Sequence, residues 1–331
     1  GAHRPVTEMV DDPFDPDQPV AYARWRQAKL ASQPRSVEDL IVTVSDPRSL
    51  SATEQTALLQ RCTHSNMAIY RSPILEEDKR IARLIGAQLG LHRLDANWLA
   101  DEDGISPIAV SRATLSQPHN HPETPEVSSS AEQRGTRSDF IPYTDRAIKW
   151  HTDGYYHPQA RRIEGMILHC VRAAKEGGQT GVADPDMLYI AVRDANPAWA
   201  QALWASDAMT IPERVDQEGV ARPAQSGPVF CRRSDGGLQL RYTARTRSIV
   251  WKDDPTTRDA VDFMAATLAA RPPWVFHLTL EPGMGLVSNN VLHDRTAFID
   301  EPTHPRLLYR ARFLDCITPQ ACLPNREAVR A

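Results

Sequence analysis

From residue 139 onward the chain is cut into short pieces. "FIPYTDRAIKWHTD", "IEGMILHCVRA", "LQLRYTART", "WVFHLTLEP", "MGLVSNNVLH" and "RLLYRARFLDCI" are strand-like, with turn formers between them. Segments this short are stable only when assembled into sheets that cover one another's apolar faces. No unit of about 20–50 residues recurs, which sets aside solenoids and propellers. What remains is a sandwich or a barrel, interrupted by helix-like stretches at 186–205 and 255–271.

The first third of the chain has a different texture. Residues 20–32, 51–65 and 75–90 have helical composition or periodicity. Ser51 followed three residues later by Glu54 predicts a capping box, and Gly90 a C-terminal stop. "MAIYRSP" (67–73) and "ISPIAVSRA" (105–113) read as extended. With no composition break to mark a second compact unit, these helices are expected to pack around the outside of one β core spanning about 105–318, within a single domain of 20–331. Residues 1–19, acidic and proline-rich, are expected as a flexible arm. Residues 114–138, polar and without periodicity, are expected as a lid, an insertion or disorder; His119 and His121 within them are read as part of a solvated loop, the competing reading being a metal site.

Bulk properties narrow the class. A formal net charge of −4 over 331 residues provides no basic field for nucleic acid. Five scattered cysteines with no C-x-x-C point to reduced thiols, and no apolar run approaches membrane-spanning length. The expectation is a cytoplasmic protein with a small-molecule partner and contact with neither nucleic acid nor membrane; self-association is left open.

Three stretches carry chemistry. In "AIKWHTD" a strand would place His151 and Asp153 on one face, two ligands of the kind a divalent transition ion takes. His293 follows 140 residues after Asp153. In "RLLYRAR" alternation aligns Arg306, Arg310 and Arg312 on one face, against Leu307, Tyr309, Ala311 and Phe313 on the other. Buried arginine needs an anion, and its planar fork matches a carboxylate.

"WHTD", "EGGQTGVAD", "NNVLHDRTAF" and "RLLYR", in that order, resemble the Fe(II)/2-oxoglutarate-dependent oxygenases of the taurine dioxygenase-like branch, which includes clavaminate synthase-like enzymes. The resemblance covers about 139–318. It implies a mainly β fold with surrounding helices (α+β) and a double-stranded β-helix, or jelly-roll, core. It implies that His151, Asp153 and His293 hold Fe(II), that Arg306 and Thr180 hold 2-oxoglutarate, and that O2 is the third reactant. The expected reaction oxidises an unactivated C–H bond, usually to an alcohol, while 2-oxoglutarate becomes succinate and CO2. Aspartate at position 153 argues against halogenation, which in related enzymes needs a small residue there.

Substrate residues are argued more locally. Arg310 is expected to meet an acidic group on the substrate, the competing reading being a salt bridge across the sheet. Tyr155 is placed on the cavity wall by continuing the strand through Gly154. Tyr242 and Arg245, with Arg247, are candidates for the pocket or its rim, the competing reading being a solvated loop whose arginines pair with "KDD". Arg312 is assigned to the barrel rim, and His157 and His169 are left without a role. Two competitors were weighed: a non-catalytic jelly-roll binding module, and a cupin-like metalloenzyme that does not use 2-oxoglutarate. Neither has a need for a buried arginine such as Arg306.

Overall fold

The computed structural model describes residues 10–96, 103–110, 141–215 and 221–317. The 114–138 segment, with His119 and His121, lies outside them. Three helices come first in the chain: α1 (Pro19–Ala31), α2 (Ala52–Ser65) and α3 (Arg80–Gln88). The Ser51–Glu54 capping box forms, and α2 stops at Asn66 in the left-handed region. The α3 helix begins five residues later than its periodicity implies. Glu76 and Asp78 are instead drawn to Arg48, at 2.6 and 3.1 Å.

Two sheets make the core. The first has the order β1 (Ile41–Thr43), β2 (Met67–Arg71), β8 (Met284–Ser288), β5 (Gly165–Arg172), β10 (Leu307–Phe313), β3 (Ser106–Ile108), antiparallel except for β1 with β2. The second has the order β7 (Val275–Leu278), β6 (Thr180–Ala183), β9 (Leu292–Arg295), β4 (Ile148–His151), all antiparallel. A bridge between His151 and Thr243 extends it by one further segment.

Register decides which side chains meet between the sheets. Met166, Cys170, Leu286 and Leu308 of the first sheet join Val182 and Phe276 of the second in one buried cluster. Burying each such side chain is worth about 1.5–3 kcal/mol, so this apolar end holds the sandwich closed. The outer face of the first sheet is covered by α2 and α3, through Ile167, Tyr309, Phe313, Leu58 and Ile85. The outer face of the second is covered by α4 (Pro185–Ala195), α5 (Pro197–Leu203) and α6 (Pro255–Ala269). Asn196, extended and capping α5, divides the stretch 186–205 into two helices, with Pro197 opening the second.

Two departures from expectation matter for function. The run "MGLVSNNVLH" is not one strand. Asn290, at φ 54°, turns the chain so that β8 and β9 lie in opposite sheets. The N-terminal arm is not loose over its described part: Phe14 is buried against Trp25, Tyr189 and Trp204.

Candidate metal centre and its surroundings

The second sheet brings the two histidines together. His151 and His293 are direct partners across β4 and β9, their rings 4.2 Å apart. Each ring has Nδ1 against a main-chain carbonyl two residues earlier, Lys149 at 2.8 Å and Val291 at 2.9 Å. A carbonyl can only accept, so Nδ1 carries a proton, and Nε2 is the nitrogen left to face Asp153 or a ligand. Burial first, and then the neighbouring His293, lowers the His151 pKa, which keeps its imidazole in the neutral, ligating form.

Asp153 completes the group by a different route. The strand ends at His151, and residues 153–156 form a turn with Gly154 at φ 66°. A Cβ at Gly154 would lie 2.5 Å from Ile163, so both the turn and its packing require glycine. Asp153 Oδ1 is 3.1 Å from His293 Nε2 and 3.5 Å from His151 Nε2. Ligand atoms of the three residues lie within 4.8 Å of one another, the one such cluster among the described residues. Burial opposes the carboxylate's charge, yet His293, His151 and Arg310 hold the Asp153 pKa well below the ordinary value. Its Oδ2 is buried with no hydrogen-bond partner. A buried carboxylate with an unused oxygen, faced by two imidazole Nε2 atoms, fits a divalent transition metal.

Arg306 is buried just before β10, its guanidinium 5.0 Å from the Phe298 ring centroid. Gly178, at φ 69°, backs onto it: a Cβ there would lie 3.2 Å from Arg306 Nε. Thr180, two residues on and buried, opens β6. Arg295 pairs with Thr180 across β6 and β9 and was not singled out from the sequence. Its guanidinium donates to the carbonyls of Thr144 and Arg146, at 2.8 and 2.5 Å, fastening the approach to β4. Burial, reinforced by Arg306, pushes its pKa down to about 9. "HDR" was the available signal.

The candidate substrate residues separate. Arg310 faces inward opposite Leu168 and Ser106, beside the apolar inter-sheet cluster. Its charge reaches Asp153, and among the described residues it makes no ion pair, so the cross-sheet salt bridge is not found. Tyr155 hydroxyl accepts from Arg245 Nη1 at 2.5 Å. Both line a cavity of about 240 Å³ with Tyr156, Arg214 and Arg247. Tyr155 reaches that wall by the turn, not by a continued strand. Tyr242 lies elsewhere: Thr243 is the residue opposite His151, so Tyr242 takes the outer face, buried among the residues under α4–α6 and beside Trp251. Arg312 is buried, not at a rim, and donates to Tyr156 hydroxyl at 3.2 Å.

Residues 76–312 match the family model of the taurine catabolism dioxygenases, TauD/TfdA family. The chain belongs to that family. Relatives include uridine-5'-phosphate dioxygenases from a Streptomyces species and an Amycolatopsis species, each 31% identical, over 178 and 172 residues. These matches cover 51% and 50% of this chain and 62% and 60% of the relatives, so the chain spans about six-tenths of their length. Among solved structures, the non-heme iron oxygenase OrfP with Fe and alpha-ketoglutaric acid superposes with a TM-score of 0.54 at 15% identity, covering 81% of this chain and 80% of that one. Asparagine oxygenase superposes at 0.50 and 13%, covering 83% and 94%. At such identities the likeness is one of fold: the mainly β jelly-roll core with helices outside. Among the described residues, no helix is long and apolar enough to cross a membrane.

Proposed function

We propose that this dioxygenase oxidises an unactivated C–H bond of a small anionic substrate, in the class of nucleoside 5'-phosphates, usually to the alcohol. The observation that carries the reading is the convergence of His151, Asp153 and His293 with an unused Asp153 oxygen, within reach of the Arg310 charge. The three residues would hold Fe(II) on one side and leave the opposite side for exchangeable ligands. When bound, iron and 2-oxoglutarate supply the oxidising chemistry, with succinate and CO2 as co-products. Arg306 would pair with the distal carboxylate of 2-oxoglutarate, helped by the Thr180 hydroxyl. Arg310 would take the anionic group of the substrate, and Tyr155 with Arg245 would form the facing wall. The relatives named for uridine-5'-phosphate support a phosphate-bearing substrate.

Anaerobic addition of Fe(II) and then 2-oxoglutarate should produce a visible metal-to-ligand charge-transfer band. Uridine-5'-phosphate should then stimulate succinate release under air, and uridine should do so far less well. Absence of the band, together with absence of succinate, would overturn the 2-oxoglutarate reading. Equal turnover of uridine would overturn the phosphate assignment alone.

A further inference from the structure

The three metal-facing residues are not held alike. His151 and His293 sit in a β-ladder, whereas Asp153 lies beyond the end of β4 and has no strand partner. The Asn290 side chain occupies that place. Asp153 N–H donates to Asn290 Oδ1 at 2.7 Å, and Asn290 Nδ2 donates to the Asp153 carbonyl at 2.9 Å. The same Nδ2 donates to the Ile163 carbonyl at 2.8 Å, joining the two limbs of the loop that follows β4. A primary amide offers one acceptor and two donor hydrogens, and here each is used.

The base of this splint is fixed. Next to it, Asn289 N–H donates to the Asn66 carbonyl at 2.8 Å, and Asn289 Nδ2 to Asn66 Oδ1 at 3.0 Å. Ile317 N–H donates to Asn289 Oδ1 at 2.7 Å. Asn66 in turn donates to Asp184 and Asp186, which hold Lys29 at 2.5 and 2.8 Å. Arg233 donates to Asn66 Oδ1 at 2.9 Å. The turn carrying Asn290 is thus tied to α1, α2 and α4. The loop is held on either side of Asp153, by Thr152 N–H donating to the Tyr242 carbonyl at 3.0 Å and Arg241 Nε to the Tyr155 carbonyl at 2.6 Å, and at Asp153 itself Asn290 supplies the bonds to both peptide groups.

We propose that Asn290 is a positioning residue for the carboxylate ligand: its side-chain amide stands in for the missing strand and sets the affinity of the site for metal. This rests on the reading of His151, Asp153 and His293 as the Fe(II) ligands. The rival explanation is that asparagine is present only because the backbone turns left-handed there, at φ 54°.

Asn290→Gly separates the two. Glycine accepts the positive φ and removes the amide. Metal-free wild type, Asn290→Gly and His293→Ala are titrated anaerobically with Fe(II), and with Co(II) to follow the ligand-field absorption, at a temperature where circular dichroism shows each folded. The wild type should bind and His293→Ala should not; a wild type that binds no metal sinks the ligand assignment itself. Asn290→Gly should bind about 10- to 100-fold more weakly, the usual cost of losing a partner that orients a ligand, with an altered Co(II) spectrum. Unchanged affinity and spectrum overturn the inference and leave the ligand assignment standing. If Asn290→Gly does not fold, hydrogen exchange in the metal-free wild type decides. A protected Asp153 amide supports the splint, and exchange at the unprotected rate removes it.

Discussion

The candidate metal corner and the proposed substrate wall are separated by a few residues and built by different means. At the metal corner, every holding contact has a main-chain group on one side: carbonyls of Lys149 and Val291 orient the imidazoles, and the Asn290 side chain grips the N–H and carbonyl of Asp153. At the substrate wall, side chains hold side chains, as Arg245 with Tyr155 and Arg312 with Tyr156. Main-chain carbonyls survive most substitutions, so the first arrangement depends on few residue identities, Asn290 foremost. Side-chain contacts change with each replacement, so the second could be retuned for a new substrate while the metal corner stays as it is.

Asp153→Ala tests the rigid side hardest. It removes a ligand and leaves two imidazoles facing each other, so metal binding should fall by more than about 100-fold, beyond the cost of losing a mere orienting partner. Equilibrium dialysis with Fe(II) measures it. Retained affinity would mean that the two histidines alone make the site.

Lys29→Ala reaches the same corner from behind. Burial disfavours the Lys29 charge, but Asp184 and Asp186 together hold its pKa above the ordinary value. Removing it leaves two buried carboxylates uncompensated, at about 3–5 kcal/mol of folding stability. Urea denaturation should show that loss, with the metal affinity of the folded fraction near that of wild type because Asn290 keeps its own bonds. A large fall in affinity would join scaffold and site into one unit.

Arg306, just before β10, and Arg310 within it sharpen the contrast between co-substrate and substrate. Arg306→Ala should weaken 2-oxoglutarate binding by about 1.5–3 kcal/mol, the value of hydrogen bonds to a charged group, and spare the Fe(II) affinity. Arg310→Ala should raise the substrate KM by roughly tenfold, about 1.4 kcal/mol, with 2-oxoglutarate binding unchanged. The reverse pattern would exchange their roles.

Local pattern made much of this legible. The alternation in "RLLYRAR" places Arg310 and Arg312 inward and Tyr309, Ala311 and Phe313 outward, as the register has them. The i, i+2 reading of His151 and Asp153 named two residues that do lie together, but for an incomplete reason, since a turn and not a strand delivers the carboxylate. Asn290 escaped because strand-like composition on either side of "NN" hid a change of sheet. Arg295 escaped because its partners are main-chain carbonyls of residues 142–146, which leave no trace in residue type.

Tyr242 marks the boundary of the substrate wall and gives the smallest expected effect. Its neighbour Thr243 faces His151, so a tyrosine one residue away must face the helices instead. Burial there pushes its phenol pKa up to about 12, so the group stays protonated throughout the working range. Tyr242→Phe removes a hydroxyl from a packed apolar layer and should change stability by less than about 1 kcal/mol, the net worth of one ordinary hydrogen bond, with an unchanged substrate KM. Tyr155→Phe removes the acceptor of Arg245 and should raise the KM several-fold with stability little altered. Steady-state kinetics and thermal melts of the pair decide it. A KM effect at Tyr242 equal to that at Tyr155 would mean that the substrate wall extends through the second sheet to its helical side.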